Sequence, residues 1–324
     1  MHTPSIQPVD PLGEALYYLR MTGLYYSRCA FTAPWGLDTP PLPGMLLFHA
    51  VVRGSCWLDL GMGEQVQLRA GDVVLVPHGE GHILRDHPES PAILLWDTPR
   101  ISVSERYDLL QIDGGGERTD LICGAVRFEH AAAANLMAVL PQVLQIEAAG
   151  SPQGEWVQST LRYMATEART LRLGGEAVIT RLSDVLVIQA IRSWLEESEA
   201  ARGGWIGALR DEKIGRTLTA IHRDPAREWS VASLADEVAM SRSAFAARFT
   251  ELVGQPAMAY VTWWRMQVAL GLLRNEGLTA AEASARVGYG SEAAFSRAFK
   301  RTIGFSPGAA RNHVDELMVP AWSS

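Results

Sequence analysis

The chain has 324 residues, 48% of them hydrophobic and 20% charged, with a formal net charge of −7. This length and apolar content fit two medium globular domains and exclude a disordered or collagen-like chain, and the negative balance excludes a uniformly basic nucleic-acid binder. The charge is nevertheless uneven: residues 1–204 carry 15 basic and 24 acidic side chains, net −9, and residues 205–324 carry 14 and 12, net +2, which points to a C-terminal part with a different partner.

Cys29, Cys56 and Cys123 lie far apart with no C-x-x-C spacing, so neither a disulfide framework nor a Cys-rich zinc site is expected. The N-terminus lacks a basic stretch followed by an apolar one, and apolar runs such as residues 45–52 fall well short of a membrane span. The expectation is a soluble protein of a reducing cytoplasm, with no membrane partner.

From Met45 to Phe128 short β-runs are separated by glycine turns: residues 45–52, 55–60, 65–68, 73–77, 82–84, 92–96 and 120–128. Regular short strands with this punctuation predict an antiparallel sandwich or barrel. Gly71 and Asp72 suit a turn and Pro77 a strand end, so none of the three is taken as a ligand contact. From Ala131 the period becomes helical. Residues 155–173 and 176–197 are long helix candidates separated by Gly174 and Gly175, and an antiparallel hairpin follows. The second helix carries two apolar stripes, Ile179, Leu182, Leu186 and Ala190, and Val178, Val185, Ile188 and Leu195. One stripe serves the hairpin partner; the other predicts a second surface, against the β-domain or a second subunit.

Residues 199–204 form the best linker candidate, and helical periodicity dominates beyond it. Two segments, 230–254 and 278–304, each read as helix, turn, helix. Ser230 and Ser241 cap the helices of the first copy, whose second helix turns Phe245, Phe249 and Leu252 inward before Gly254. In the second copy Ser291 caps a helix with Phe295, Phe299 and Ile303 inward, followed by Gly304 and Pro307. A helix over residues 257–273 joins the copies. If it holds their second helices parallel at about 34 Å, both enter successive major grooves on one DNA face.

The strings W-S-V-A-S-L-A-D-E-V-A-M-S-R-S-A-F-A-A-R-F, P-A-M-A-Y-V-T-W-W-R-M-Q-V-A-L-G-L-L, A-S-A-R-V-G-Y-G-S-E-A-A-F-S-R-A-F-K-R and G-F-S-P, within residues 206–312, resemble the AraC-type DNA-binding domain. The resemblance implies a transcription regulator acting on double-stranded promoter DNA. By helix position the first recognition face is Arg242, Ser243, Ala246 and Ala247, and the second is Glu292, Ala293, Ser296 and Arg297. Arg297 suits a guanine edge and Glu292 a cytosine amine; Lys300, Arg301 and Arg265 complete the expected DNA-binding set, the first two as phosphate contacts. For any single position a solvated helix face is the rival reading. The Ala-rich first face departs from relatives with longer polar side chains there and shifts weight to Arg242, methyl contacts or DNA shape.

F-H-A-V-V-R-G-S-C-W-L from Phe48 and L-R-A-G-D-V-V-L-V-P-H-G-E-G-H ending at His82, with C-G-A-V-R-F from Cys123 and G-G-E-A-V-I-T-R-L-S-D-V-L from Gly174, resemble the cupin half of a subgroup of the same regulators. In that subgroup the barrel senses an effector and forms dimers. Metal-dependent cupin enzymes carry a second His two positions after the first; here Ala50 and Val51 follow His49, so an oxygen-activating centre is not expected. A smaller site of His49, His82 and Cys123, with His78 or His87 as additions, suits zinc or copper. Its rival is ordinary structural histidines and a buried apolar thiol. A small-molecule pocket at Phe48 and Trp57 is the competing sensor reading.

The sequence thus predicts a multidomain α and β protein: a cupin-like sensor over 1–150, a helical hairpin for dimerisation with linker over 151–204, and an all-α double helix-turn-helix over 205–324. The expected function is a non-enzymatic, homodimeric DNA-binding regulator, with activation through RNA polymerase favoured by the resemblance and a small-molecule, metal or redox signal at the barrel. The alternative is a cupin metalloenzyme fused to a DNA-binding module.

Overall fold

The computed structural model describes residues 21–128 except 62 and 64, 136–146 except 138, 152–170, 174–198 and 204–310. They divide into two compact units. The first holds residues 21–128 and 140–197; the second includes residues 198–310.

The first unit contains β1 (Met21–Thr32), β2 (Gly36–Thr39), β3 (Leu46–Arg53), β4 (Ser55–Asp59), β5 (Gln65–Arg69), β6 (Val73–Val76), β7 (His82–Arg85), β8 (Ile93–Leu94), β9 (Arg100–Ser104), β10 (Tyr107–Asp113), β11 (Arg118–Phe128) and β12 (Leu144–Ile146), then α1 (Pro152–Thr170) and α2 (Gly175–Glu197). A seven-stranded sheet, β12-β6-β3-β11-β1-β10-β9, faces a five-stranded one, β5-β4-β7-β2-β8. Leu47 and Val51 of β3, Val74 and Val76 of β6, and Leu37, Leu58, Leu68 and Leu84 of the smaller sheet form the core between them. Pairing is antiparallel except for β1 with β10 and β2 with β8.

Side chains alternate across a strand. In β3, Leu47, His49 and Val51 point into the core, and Phe48 and Ala50 point to the outer face; all five are buried. The outer face is fastened to α2 by Tyr26, whose hydroxyl donates to Asp184 at 2.7 Å. Phe48 lies over Gly124, where any Cβ would enter its ring.

Several boundaries differ from the expectation. The β series begins at Met21, and β1 lies inside the sheet between β11 and β10; β9 and β10 were likewise not anticipated. Leu144–Ile146 is a strand on β6 inside the stretch read as helical. The run 92–96 yields only two strand residues before a 3₁₀ turn at Leu95–Asp97. Gly174 does take a positive φ, +79°. The proposed linker falls largely outside the described residues.

The second unit is helical: α3 (Gly204–Arg210), α4 (Glu212–Arg223), α5 (Val231–Asp236), α6 (Arg242–Val253), α7 (Ala257–Asn275), α8 (Ala280–Arg286), α9 (Glu292–Ile303) and α10 (Pro307–Ala310). The pairs α5–α6 and α8–α9 are the duplicated motif. Ser230 and Thr279 cap the first helix of each copy in capping boxes, and Ser241 and Ser291 cap the second. Gly254 and Gly304 end α6 and α9 in the left-handed region. Among the described residues no helix is long and apolar enough to cross a membrane.

Both turns use one device. The Met240 amide donates to the Ala235 carbonyl across Ala239 at φ +50°, and the Tyr289 amide donates to Ser284 across Gly288 at φ +78°. A Cβ on Gly288 would also collide with the carbonyl oxygen of Ala226. Gly288→Ala therefore combines left-handed strain of about 1–2 kcal/mol with a backbone clash. A loss of at least about 2 kcal/mol in urea unfolding of the second unit is expected, and an unchanged midpoint would refute the packing of this turn.

Candidate nucleic-acid interface and sandwich interior

In α6 the inner face is Phe245 and Phe249, both fully buried, and Arg242, Ser243 and Ala247 are exposed with Ala246 half-buried. In α9 the inner face is Phe295, Ala298 and Phe299; Glu292, Ala293, Arg297, Lys300 and Arg301 are exposed and Ser296 is half-buried. Each recognition helix therefore has 12 residues, a serine cap, an aromatic inner stripe and a solvent face carrying the residues expected there. Arg248, also exposed on α6, is held by Asp211 at 3.0 Å and Glu251 at 3.2 Å.

Arg265 departs from its expected role. It is half-buried, its Nε donates to the Pro225 carbonyl at 2.7 Å and an Nη to the Arg227 carbonyl at 2.8 Å, and its guanidinium lies 5.8 Å from the Tyr289 ring. It is a strut between the loop ahead of the first motif and the turn of the second.

The spine of the unit escaped the sequence reading. His222, at the end of α4, shares a 2.8 Å hydrogen bond with the Tyr260 hydroxyl and stacks on Trp264 with ring centroids 3.7 Å apart. Phe249 meets Tyr260 edge-on at 5.9 Å, which completes the tie from α6 to α7. The signal lay in Ile214, Leu218, Ile221 and His222, whose i, i+4, i+7, i+8 spacing marks one buried helix face.

Inside the sandwich, His49 Nε2 and His82 Nε2 are 2.7 Å apart. His82 Nδ1 sits 3.1 Å from the Glu80 carbonyl, which only accepts, so Nδ1 carries the proton and Nε2 of neutral His82 accepts from His49. His49 Nδ1 is then a lone-pair acceptor, and it has no partner among the described residues. Burial pushes both imidazole pKa values down, that of His49 well below 6.5. Cys123 pairs with His49 across β11 and β3, but its thiol contacts Cys29 at 3.8 Å; that hydrogen bond, then burial, raises its pKa well above the ordinary thiol value. Tyr25, Ser27, His49 and Cys123 border a void of about 30 Å³, room for about one water.

The expected zinc or copper site is thereby corrected. The three expected ligands do not gather round one point: His49 and His82 meet at their Nε2 atoms, and the Cys123 thiol meets Cys29. Among the described residues no group of three or more His, Cys, Asp or Glu comes together to hold a metal ion. His78 points to the Leu140 carbonyl, and His87 is an exposed loop residue accepting from the Glu89 amide. The pocket at Phe48 and Trp57 is also corrected: Phe48 is on the outer face of the larger sheet, and Trp57 alternates outward between core residues Cys56 and Leu58.

Both histidines are neutral when folded and titrate near 6.5 when unfolded, so unfolding takes up protons as pH falls below that value. Stability present above pH 6.5 is lost on acidification, by up to about 1.4 kcal/mol per pH unit per histidine until the folded values are reached. The first unit's urea midpoint is expected to drop between pH 7 and 5, and a His49→Leu/His82→Leu variant should show a flatter slope. An identical slope in the two proteins would refute the assignment.

Comparison with known proteins matches this geometry. A family model described as Cupin matches residues 10–196, and a helix-turn-helix domain model matches residues 234–313. Over 306 residues the chain is 33% identical to a protein of Streptomyces lividans described as an AraC-like transcription regulator, covering 94% of this chain and 99% of that one. A Streptomyces antibioticus protein of the same description is 34% identical over 94% and 99%. The HTH-type transcriptional regulator AlkR of Acinetobacter baylyi is 30% identical over 81% of this chain and 86% of its own. The chain belongs to the AraC-type transcription regulators, with a cupin domain ahead of a helix-turn-helix DNA-binding domain.

Proposed function

We propose that α6 and α9 enter successive major grooves of promoter DNA, and that a signal received by the cupin unit changes how they are presented. The observation that carries the reading is the parallel construction of the two recognition helices on the shared helix α7. Arg242, Ser243, Ala246 and Ala247 face bases in one groove. Glu292, Ala293, Ser296 and Arg297 face them in the next, and Lys300 and Arg301 contact phosphates. A ligand shifts promoter occupancy only by binding two conformations unequally.

Dimerisation through the helical hairpin belongs to the same reading. The second stripe of α2 divides: Leu195 is buried, Val178 and Ile188 are half-buried, and Val185 stays 38% exposed. Trp156 and Tyr163 of α1 are 38% and 53% exposed. A second copy of the chain is the occupant proposed for these side chains, and activation would proceed through RNA polymerase contact by the promoter-bound dimer.

The test begins with operator selection on the full chain. Arg297→Ala should cost about 1–3 kcal/mol at one base pair and relax preference there; unchanged preference rejects its role. Lys300→Ala should weaken all sequences alike and lower the salt slope by about 1. Val185→Glu should move the protein from dimer to monomer in sedimentation, and a wild type that sediments as monomer at micromolar concentration would remove the dimer.

A further inference from the structure

The loop between α4 and α5, residues 224–230, touches both helix-turn-helix motifs. We infer that Arg265 and this loop form a spacing clamp: they fix the phase of one recognition helix against the other and so set which separation between half-sites the protein accepts. The inference rests on the reading that α6 and α9 enter successive major grooves.

The loop is fastened first to the first motif. The Arg227 amide donates to Asp224 Oδ1 at 3.1 Å, the Trp229 amide to the Arg227 carbonyl at 2.8 Å, and the Trp229 indole to the Asp224 carbonyl at 2.9 Å, so the loop closes on itself. The Arg227 guanidinium lies 4.2 Å from the Trp229 ring centre and pairs at 2.5 Å with Glu237, the residue that ends α5. Trp229 is buried, and Ser230 after it caps α5. The same loop then meets the second motif. The Ala226 carbonyl fills the space a Cβ on Gly288 would need, and Tyr289, the next residue, meets Phe295 of α9 edge-on at 5.8 Å. Arg265 closes the arrangement from the middle of α7: Nε donates to the Pro225 carbonyl at 2.7 Å, Nη2 to the Arg227 carbonyl at 2.8 Å, and the guanidinium lies 5.8 Å from the Tyr289 ring centre.

The mechanical consequence follows from the number of connections. Helix α7 has 19 residues, a rod of about 28 Å that fixes how far apart the motifs lie along its axis. The chain enters and leaves it by way of Gly254 and Gly277, both at positive φ, so each motif takes its orientation from packing and not from a continuous helix. A motif attached to a single rod can rock on it. The 224–230 loop is a second connection, away from the rod axis, and two separate connections oppose the rocking that one allows. The planar fork of an arginine suits this task, because its separate N–H groups reach two carbonyls at once where a lysine offers one nitrogen. One base pair added between half-sites carries the second by about 3.4 Å along the duplex and about 35° around it, which a clamped pair of helices must refuse.

The test measures operator affinity of the full chain by fluorescence anisotropy. The duplexes carry the selected operator, the same operator with one base pair added or removed between the half-sites, and operators with either half-site scrambled. Wild type should lose at least about tenfold on either change of spacing. Arg265→Gln should flatten that penalty to about threefold or less, by weakening the selected spacing while single half-sites keep their affinity and the salt slope stays as in wild type. Arg265→Lys keeps the stem and the charge without the fork and should give an intermediate profile; it carries the test alone if urea unfolding shows that the Gln variant does not fold. A profile as sharp in the folded variants as in wild type would overturn the clamp. Equal loss on every operator would also overturn it: with the salt slope lowered by about 1, Arg265 is a phosphate contact, and with the slope unchanged it serves only stability. A wild type indifferent to spacing would remove the two-groove reading and the clamp with it, a result distinguished from the others because it needs no variant.

Discussion

The central strands of the seven-stranded sheet, β3 above all, are buried on both faces, and the placement of the paired histidines and of Phe48 follows from that constraint. Strand β3 lies between β6 and β11, and Leu46 through Val51 are all buried. A strand in this position has no solvated side for polar residues, so strict alternation decides which of two environments each side chain meets. His49 falls on the inner side, where an unpaired imidazolium would be prohibitively costly, and it finds the neutral ring of His82 instead. Phe48, one residue earlier, falls on the outer side beside Tyr26. A one-residue slip of register would bury Phe48 against the smaller sheet and push the imidazole beneath the helices.

The helical unit solves a different problem, the joining of two small motifs that bury too little surface to stand alone. Helix α7 belongs to two cores. Its first half carries Tyr260 and Trp264 into the aromatic cluster with His222 and Phe249. Its second half carries Met266, Ala269 and Leu273 into the cluster of Phe295 and Phe299. Arg265 sits at the crossover and ties residues 225 and 227 to the region of Tyr289, and the carbonyl of Ala226 fills the space a Cβ on Gly288 would need. The two recognition helices are thus joined by one rigid helix and one polar strut, which makes their relative placement a property of the packing.

Much of this helical unit was legible because its signals are local. Serine caps, glycines after the last turn and paired phenylalanines recur in both copies at nearly constant offset, and each acts within a few residues of itself. The first unit was less legible because its determinants are not local. Strand β1 mixes Tyr25, Ser27 and Cys29 inward with Tyr26, Arg28 and Ala30 outward; with both faces covered, the alternation of polarity that marks a half-exposed strand is lost. The same loss hid the face assignment of Phe48, whose neighbours Leu47 and His49 are both buried, while Trp57 sits between the apolar core residues Cys56 and Leu58. His49 and His82 were singled out by type, but only the pairing of their Nε2 atoms shows a hydrogen bond in place of a ligand set. The strut role of Arg265 was not legible because the carbonyls of residues 225 and 227 that hold it lie far from it in sequence.

Charge distribution ties the two units to one chemical logic. The net −7 of the chain opposes contact with DNA as a whole, and the acidity is concentrated in residues 1–204. That repulsion falls with salt and distance, so it disfavours loose, nonspecific association more than a docked complex in which both recognition helices contribute cations at short range. Arg248 is paired with Asp211 and Glu251, and Arg242 is the exposed cation among the residues expected on the first recognition face. In the proposed complex Arg297, Lys300 and Arg301 on α9 would bring more positive charge to the DNA than Arg242 on α6, even with Glu292 on the same helix. The first motif, with small side chains at 243, 246 and 247, would in that complex contribute chiefly shape and close approach of its backbone. On the proposed reading, tight binding needs both motifs seated together.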